Sequence, residues 1–349
     1  MSEKILMKGN EAVGEAAIFA GCRHYFGYPI TPQNELTGYM ARRMDEVGGT
    51  FIQSESELAA ISMVFGAAAA GARAMTSSSG PGISLKQEGI SYMAGCQLPC
   101  VIVNVMRGGP GLGNISASQS DYFQATRGGG HGDYYTLVLA PYNVQEMFDL
   151  TLLAFHVADQ YRIPVLVLAD GILGQMMEPL TLHPPDFPAL PPKTWAVGGM
   201  KNRPMNLISS LRLGEGRLEA HNIVLQNTYA QIREDEVRFE CTDTEDAEIL
   251  LVAFGTSARV CLGAVAEGRE DGLKIGLLRP ITLWPFPSEA IATRAQHVKC
   301  ILVVEMNHGQ MVEDVRLAVE GRCPIHFHGR SGGGVPTVGE VLTKVRECL

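Results

Sequence analysis

The sequence lacks a basic cluster, and this argues against a protein that binds nucleic acid. Its 349 residues carry a formal net charge of −9, and no run of five or more Lys or Arg residues occurs. Nucleic-acid-binding proteins usually present a positive surface to the phosphates. The ~20 consecutive apolar residues that cross a bilayer are also missing, and charges interrupt the N-terminus where a secretory signal needs an apolar stretch. We therefore expect a soluble, cytoplasmic protein with no membrane segment.

A Cys-x-x-Cys pair is absent as well, although the chain contains eight cysteines. Iron–sulfur clusters are bound by several cysteines spaced two or three residues apart. Dispersed cysteines in a chain of this size indicate a reducing compartment and thiols that pack as small hydrophobic groups. We therefore expect neither an iron–sulfur cluster nor a metal site on this chain.

What the sequence does contain is a regular alternation of apolar, strand-like runs and helical patterns. Cys100 to Val105 is an apolar run with one polar residue, Asn104, and Pro164 to Ala169 is a continuous apolar run. Glu57 to Ala72 is an Ala-rich helical pattern. Asn143 and Glu146 have the spacing of a capping box at a helix start. Buried strands that alternate with helices are typical of a parallel sheet covered on both faces. The sequence therefore predicts an α/β fold of two doubly wound domains.

The alternation breaks once, and this break suggests the domain limits. Residues 177–192 are rich in proline and are predicted to form neither a helix nor a paired strand. We predict a first domain at 1–180, a Pro-rich linker and irregular segment at 181–240, and a second domain at 241–349. Within the irregular segment, one helix is predicted near residues 218–233.

The first candidate functional motif is YPITP, which consists of Tyr28, Pro29, Ile30, Thr31 and Pro32. It lies where a predicted strand ends, and ligands of parallel sheets bind at the carboxyl ends of strands. Two prolines around the threonine would hold its hydroxyl in one direction. A rigid turn without further function is the alternative for such a motif taken alone.

The second candidate is Glu57, at the start of the Ala-rich helix. An acidic residue there can simply complement the helix dipole. However, the flanking segments are predicted to be buried, and a buried carboxylate needs a partner or its pKa rises. Glu55 is the better candidate for a solvated acid at this helix start.

Two further candidates follow strands. The segment TSSSGPG, which includes Ser79, Gly80 and Pro81, could let a ligand approach the backbone at a helix start, although it lacks the lysine of a P-loop. Arg107 ends the most apolar strand, where its planar guanidinium could bind a substrate carboxylate through two hydrogen bonds. A structural ion pair is the alternative for this arginine.

Together, and in this order, these segments resemble the alpha subunit of 2-oxoacid:ferredoxin oxidoreductases. The resemblance covers essentially the whole chain, because EILLVAFGTSARV, LLRPITLWPFP and VVEMNHGQMVEDVR are similar to the family's transketolase C-terminal-like domain. It implies a first domain that binds the pyrimidine of thiamine diphosphate. By position it implies that Glu57 contacts N1′ of the cofactor's aminopyrimidine, that Thr31 lies near the substrate and that Arg107 meets the 2-oxoacid carboxylate.

The remaining residues of these motifs are implied to contact the cofactor. They are Tyr28, Pro29, Ile30, Ser79, Gly80 and Pro81. The residue types suit the chemistry, because a carboxyl group at N1′ assists proton removal from the cofactor, which then serves as the electron sink when CO₂ leaves. The resemblance also implies transfer of the acyl group to coenzyme A and of electrons to ferredoxin.

One further absence bears on the partners. Thiamine diphosphate enzymes hold Mg²⁺ and the diphosphate with a GDG motif, and no GDG occurs here. The resemblance therefore implies a beta subunit that carries Mg²⁺ and the diphosphate, and further subunits that carry [4Fe–4S] clusters. By itself this chain is expected to be inactive.

The sequence leaves alternatives open for the substrate and for the enzyme class. Residues 108–126 contain no Lys or Arg for a second carboxylate, and QSDYFQATRGGGHGDY resembles subunits for branched-chain 2-oxoacids such as 3-methyl-2-oxobutanoate. Arg127 lies close by, however, so a 2-oxoglutarate enzyme is an alternative. The beta subunit of an NAD-linked 2-oxoacid dehydrogenase is a second alternative, which the YPITP motif disfavours. A non-catalytic α/β scaffold is a third.

Overall fold

The structure is a computed structural model, and it describes residues 4–348. Helices and strands alternate along most of this range. The strands are β1 (Lys4–Lys8), β2 (His24–Gly27), β3 (Thr50–Gln53), β4 (Ala74–Ser78), β5 (Cys100–Met106), β6 (Leu137–Leu139), β7 (Pro164–Asp170), β8 (Met177–Thr181), β9 (Phe239–Thr242), β10 (Ile249–Val252), β11 (Ile275–Pro280), β12 (Thr282–Trp284), β13 (Cys300–Glu305) and β14 (Ile325–Gly329). The helices are α1 (Gly9–Phe19), α2 (Asn34–Glu46), α3 (Glu57–Ala69), α4 (Pro81–Gly95), α5 (Tyr122–Arg127), α6 (Val144–Tyr161), α7 (Gly171–Gln175), α8 (Arg217–Asp235), α9 (Gly255–Glu270), α10 (Ser288–Arg294), α11 (Met311–Val319) and α12 (Val338–Glu347).

A seven-stranded sheet organises the first half of the chain, in the order β12-β6-β7-β5-β4-β2-β3. All neighbours in it are parallel except β12, which runs antiparallel to β6. The two central strands β5 and β7 are buried along their whole length, as their apolar sequences predict. Because β2, β4 and β5 are parallel, the segments that follow them meet at one edge of the sheet.

A five-stranded sheet organises the second half, in the order β14-β13-β10-β11-β9. Its central strands are parallel, and β9 pairs antiparallel with β11 at one edge. The strands β10, β11 and β13 are fully buried, with helix α9 packed on them. The prediction of two α/β units is thus met, although β12 of the second half joins the sheet of the first.

Buried polar groups connect the two halves. Asp170 ends β7 and is about 1% exposed, and its carboxylate accepts hydrogen bonds from the backbone N–H of Ile172 and from the Thr256 hydroxyl, at 2.9 Å each. Burial raises the pKa of Asp170, against the lowering effect of these hydrogen bonds. Gln119 donates to the carbonyl of Phe254 at 2.8 Å and accepts from the Ser257 hydroxyl at 2.8 Å. These contacts place the start of α9, in the second unit, against the edge of the seven-stranded sheet where its parallel strands end.

The prediction for the Pro-rich segment 177–192 is wrong at its start. Residues 177–181 form strand β8, which pairs antiparallel with β1 in a separate two-stranded sheet. Pro179 is tolerated there because both strands of such a ribbon are edge strands. Residues 182–216 form neither helix nor strand, and α8 follows where a helix was predicted. Within the described residues, no helix is long and apolar enough to cross a membrane.

Candidate active site

The YPITP segment lies in the loop between β2 and α2. Strand β2 ends at Gly27, earlier than the sequence pattern predicted, so all five residues of the motif belong to the loop. The buried Gln33 side chain holds this loop in place: it donates to the carbonyl of Tyr28 at 3.2 Å and accepts from the Ser77 hydroxyl at 2.5 Å. The Thr31 hydroxyl accepts a hydrogen bond from the Asn34 amide at 3.1 Å. The motif is therefore anchored to the neighbouring strand β4.

Glu57 is the first residue of α3, and it is buried. Ser56 caps this helix by accepting a hydrogen bond from the Ala59 N–H, while Glu57 is only 6% exposed. Its carboxylate lies against the start of α4: a Cβ atom added to Gly82 would be 2.4 Å from Oε1. Within residues 4–348 no hydrogen bond from a protein group to this carboxylate is found, and its oxygens are not fully enclosed by protein. Glu57 therefore differs from Glu55, which is a solvent-exposed acid just before the same helix.

The turn from β4 to α4 carries more unpartnered polar atoms. The hydroxyls of Ser78 and Ser79 are buried, and neither forms a hydrogen bond within the described chain. Gly80 has a φ of 47°, in the left-handed region where glycine is favoured. Buried hydroxyls are normally satisfied, so these two groups indicate a surface made for a polar ligand.

Arg107 follows β5 and brings the motifs together. Its guanidinium donates to the carbonyl of Thr31 at 3.0 Å and to the carbonyl of Leu112 at 3.1 Å, while its Nε has no partner. A Cβ atom on Gly80 would be 3.5 Å from the Arg107 side chain. The predicted residues Thr31, Gly80 and Arg107 thus converge at one point. A guanidinium has five N–H donors, so three of them remain for a ligand beside these two carbonyls.

A cavity of about 890 Å³ opens beside Arg107, between the two halves of the chain. Gly80, Pro81 and the glycine-rich loop 108–112 line it from the first half, and Asn307 and His308 line it from the second. Glu57 does not line this cavity. The structure therefore places Arg107 on this cleft. Glu57 lies outside the cleft lining, beside the start of α4.

Two polar groups near this site were missed from the sequence. Asp121 accepts a hydrogen bond from the Asn104 amide at 3.0 Å, and burial raises the pKa of its carboxyl group. Lys86 on α4 is 0% exposed, and its ammonium donates to the Thr76 hydroxyl at 3.0 Å. The spacing of Ile83, Lys86 and Ile90 puts this lysine on the apolar face of α4, which is a signal that could have found it.

Another group missed from the sequence lies away from this site. The thiols of Cys300 and Cys348 and a ring nitrogen of His326 lie within 4.8 Å of one another. Thiolate and imidazole are both common zinc ligands. However, Cys300, His326 and Cys348 do not have the spacing of a familiar metal-binding motif. Sequence spacing alone therefore did not bring them together.

Two family descriptions match this chain. One, "Pyruvate flavodoxin/ferredoxin oxidoreductase, thiamine diP-bdg", matches residues 15–236. The other, "Pyruvate:ferredoxin oxidoreductase core domain II", matches residues 247–341. The chain belongs to the 2-oxoacid:ferredoxin oxidoreductase family. The predicted family and the family-level prediction of thiamine diphosphate as cofactor are thereby confirmed.

Two relatives within the 2-oxoacid:ferredoxin oxidoreductases carry different names. The ketoisovalerate oxidoreductase subunit VorB of Methanothermobacter marburgensis is 53% identical over 98% of this chain and 97% of that protein. The 2-oxoglutarate synthase subunit KorA of Methanothermobacter thermautotrophicus is 37% identical, with 99% of each chain covered. Both are named as subunits. The predicted activity is confirmed at the level of a 2-oxoacid:ferredoxin oxidoreductase subunit.

Solved structures agree with the predicted fold class. A 2-oxoglutarate:ferredoxin oxidoreductase from Magnetococcus marinus, solved with 2-oxoglutarate, coenzyme A and succinyl-CoA bound, superposes with a TM-score of 0.90 at 28% identity. The match covers 99% of this chain but only 65% of that one, so the solved oxidoreductase chain is longer. A split-gene transketolase, solved as an inactive beta4 tetramer, superposes with a TM-score of 0.63 at 14% identity over 98% of each chain, and shows the fold alone. The roles of single residues and the domain limits stay predictions.

Proposed function

We propose that this chain supplies the pyrimidine half of a thiamine diphosphate site in a hetero-oligomeric oxidoreductase for branched-chain 2-oxoacids. The reaction converts one 2-oxoacid, such as 3-methyl-2-oxobutanoate, and one coenzyme A into acyl-CoA and CO₂. Two electrons pass to ferredoxin. The observation that carries this proposal is the placement of Glu57, a residue only 6% exposed, at the carboxyl edge of the parallel sheet with no hydrogen bond to its carboxylate among the described residues.

The residues around Glu57 fit a polar aromatic ring. The Glu57 carboxyl group has no protein partner among the described residues, and it can share one proton with a ring nitrogen in a hydrogen bond. The Ser78 and Ser79 hydroxyls add two further unpartnered groups, and Gly82 leaves the space that a side chain would fill. When bound, thiamine diphosphate supplies the electron sink for decarboxylation. Glu57 then holds a proton at N1′, which is the role of a general acid–base group.

Arg107 is proposed to bind the carboxylate of the 2-oxoacid. Its guanidinium is 9% exposed and borders the cavity, and its free Nε leaves one donor without a partner. Charge-assisted hydrogen bonds from arginine to a carboxylate are stronger than those to a neutral carbonyl. The substrate carboxylate is proposed to accept hydrogen bonds from the remaining guanidinium donors, while the carbonyls of Thr31 and Leu112 keep the guanidinium in orientation.

The proposed substrate side chain is apolar and branched. Among the described residues that line the cavity, Arg107 is the single Lys or Arg, so a distal carboxylate would lack a cation from this chain. Arg127 is paired with Asp314 at 2.7 Å and does not line the cavity. Leu112 lines the cavity and is 79% exposed, which offers apolar contact. The relatives named for ketoisovalerate are 52–53% identical, against 37–40% for the archaeal ones named for 2-oxoglutarate.

The remaining half of the cofactor site is proposed to come from a beta subunit. The sequence has no GDG motif for Mg²⁺ and the diphosphate. Large apolar side chains near Glu57 are 38–51% exposed; they are Ile52, Leu58, Leu85 and Tyr92. Burial of such a surface between subunits is favourable at about 25 cal/mol per Å². Further subunits with [4Fe–4S] clusters and ferredoxin itself complete the proposed electron path, and the location is proposed to be cytoplasmic.

The test uses the complete complex, purified with its partner subunits. Glu57→Gln keeps the shape of the side chain but removes the proton-transferring carboxyl group, so turnover should fall at least ~10²-fold. Glu55→Gln is the matched control, because that neighbouring acid is exposed. Near-normal turnover of Glu57→Gln would favour a scaffold without a catalytic role.

Substrate and electron acceptor are tested on the unmodified complex. We expect 3-methyl-2-oxobutanoate to give a higher kcat/KM than 2-oxoglutarate, with reduction of ferredoxin or a viologen dye. A preference for 2-oxoglutarate would overturn the branched-chain assignment. A requirement for lipoamide would contradict the ferredoxin assignment and favour an NAD-linked dehydrogenase.

A further inference from the structure

Two thiols and an imidazole ring meet at one edge of the five-stranded sheet, in the second half of the chain. The sulfur atoms of Cys300 and Cys348 and one ring nitrogen of His326 all lie within 4.8 Å of one another. None of the three is among the described residues that line the cleft beside Arg107. Two thiols and an imidazole form a ligand set that suits Zn²⁺, and the proposed reaction has no use for it.

Three separate elements bring these side chains together. Cys300 is the first residue of β13, and His326 lies on the parallel neighbour β14. The register places His326 beside Leu302, which shares a face of the strand with Cys300 because the two are two residues apart. Val345 of α12 packs into the same buried cluster as Cys300 and Leu302, and Cys348 is the C-terminal cap of that helix. The group therefore lies where the end of α12 meets the edge of the sheet.

The spacing of the three ligand atoms is close to that around one tetrahedral ion. With Zn–S bonds of about 2.3 Å and a Zn–N bond of about 2.0 Å, the ligand atoms are roughly 3.6–3.8 Å apart. Shifts of about 1 Å therefore close the site from its present spacing. Cys300 is buried, whereas His326 and Cys348 are half-buried, so an ion has a path from solvent. Cys323 influences the pKa of Cys300 but is outside the group of three, which leaves the fourth position to water.

The charges around the group do not oppose a cation. Zn²⁺ with two thiolates and a neutral imidazole has no net charge, and this suits a half-buried position. Lys299 and Lys344 both act on the thiols. However, Lys299 pairs with Glu248 at 2.6 Å and Lys344 pairs with Glu347 at 2.7 Å. Both ammonium groups are thus directed to carboxylates.

We propose that Cys300, His326 and Cys348 bind one Zn²⁺ ion, with water as the fourth ligand, and that this ion connects the end of α12 to the sheet. The sequence predicted no metal site, because the three ligands are far apart along the chain. Strand β14 is an edge strand whose five residues are all half-buried, whereas β13 is buried throughout. Metal–ligand bonds from three elements therefore stabilise a part of the sheet that buries little apolar surface. This site is independent of the role of Glu57.

The test measures zinc in the complex, purified with its partner subunits under reducing conditions from cells grown with added zinc. Elemental analysis should give about one more Zn²⁺ per copy of this chain in the unmodified complex than in Cys348→Ser. His326→Gln should lose the same zinc, and it serves if the serine variant does not assemble. X-ray absorption at the zinc edge should show two sulfur ligands at about 2.3 Å and one nitrogen ligand at about 2.0 Å.

Cys241→Ser is the matched control. Cys241 is also a half-buried free thiol, but it lies on β9 at the opposite edge of the same sheet. This variant should keep the zinc content of the unmodified complex. Because an ion that binds the folded state stabilises it, a zinc chelator should lower the midpoint of thermal unfolding of this chain in the unmodified complex and in Cys241→Ser. The chelator should have less effect on Cys348→Ser.

Two results would overturn the zinc site. One is an equal zinc content in the unmodified complex, Cys348→Ser and His326→Gln. The other is a disulfide between Cys300 and Cys348 in the reduced preparation, detected by mass spectrometry of alkylated peptides, since oxidised sulfur atoms do not bind the ion as thiolates. Neither result bears on the proposed function, which is tested by Glu57→Gln.

Discussion

Two buried glutamates, one in each half of the chain, differ in how their carboxylates are satisfied. Glu305, at the end of β13, is 0% exposed and accepts hydrogen bonds from the Asn307 amide and from the backbone N–H groups of Met311 and Val312, at 2.8–3.0 Å. Glu57 is 6% exposed and accepts none from the described chain. Glu305 caps α11 and completes the fold. Glu57 is left with a free acceptor, as a ligand-binding group requires.

The surroundings of the two glutamates differ in the same way. Burial raises the pKa of Glu305, and its hydrogen bonds oppose this effect. Glu57 has no such set of donors among the described residues. A satisfied carboxylate stabilises one conformation, whereas a carboxylate without protein donors keeps its hydrogen-bonding capacity for another molecule. Burial by itself therefore does not separate a structural acid from a functional one.

The largest effect that would sharpen this comparison is expected from Gly82→Ala. The added Cβ would be 2.1 Å from the Ser78 hydroxyl and 2.4 Å from the Glu57 carboxylate, so Glu57 must move. Because a misplaced catalytic group can cost ~10²-fold in rate, we expect a loss of that order in the turnover of the complex. Gly38→Ala in α2 is the control, since its Cβ would meet nothing within 4 Å. Equal activities of the two variants would show that the position of Glu57 is unimportant.

Glu305→Ala, in contrast, should lower the stability of the protein and change turnover little. It leaves the Asn307 amide and several backbone N–H groups at the start of α11 without an acceptor. Each unsatisfied buried donor costs about 1–3 kcal/mol, so the midpoint of thermal unfolding should fall clearly. Turnover per folded complex should change little. A large loss of turnover with unchanged thermal stability would mean that Glu305 takes part in the reaction, and the comparison would break.

The smallest of the expected effects is that of Arg107→Ala. If the guanidinium binds the substrate carboxylate in the ground state, its loss should raise KM for 2-oxoacids by roughly 10-fold or more, with a smaller change in kcat. Steady-state kinetics with 3-methyl-2-oxobutanoate would measure both values. An unchanged KM would assign Arg107 to its contacts with Thr31 and Leu112 alone.

Most elements of the fold could be predicted from local patterns. Strands β5 and β7 are apolar runs, and α6 begins at the cap that Asn143 and Glu146 indicate, with the Asn143 side chain 2.7 Å from the Glu146 N–H. The pairing of β8 with β1 and of β12 with β6 could not be predicted. Both join segments more than 130 residues apart, and strands of three to five residues carry little information about their partner.

The sequence by itself determined the family, the two α/β units and the residue types of the site, because YPITP, SGPG and the Arg107 segment are read locally. Only the tertiary structure decided which of these groups meet. It joined Arg107 to the Thr31 carbonyl across 76 residues and set Glu57 against Gly82. The physical reason is that burial, and with it the protonation state of an acid, depends on what packs around the group in space.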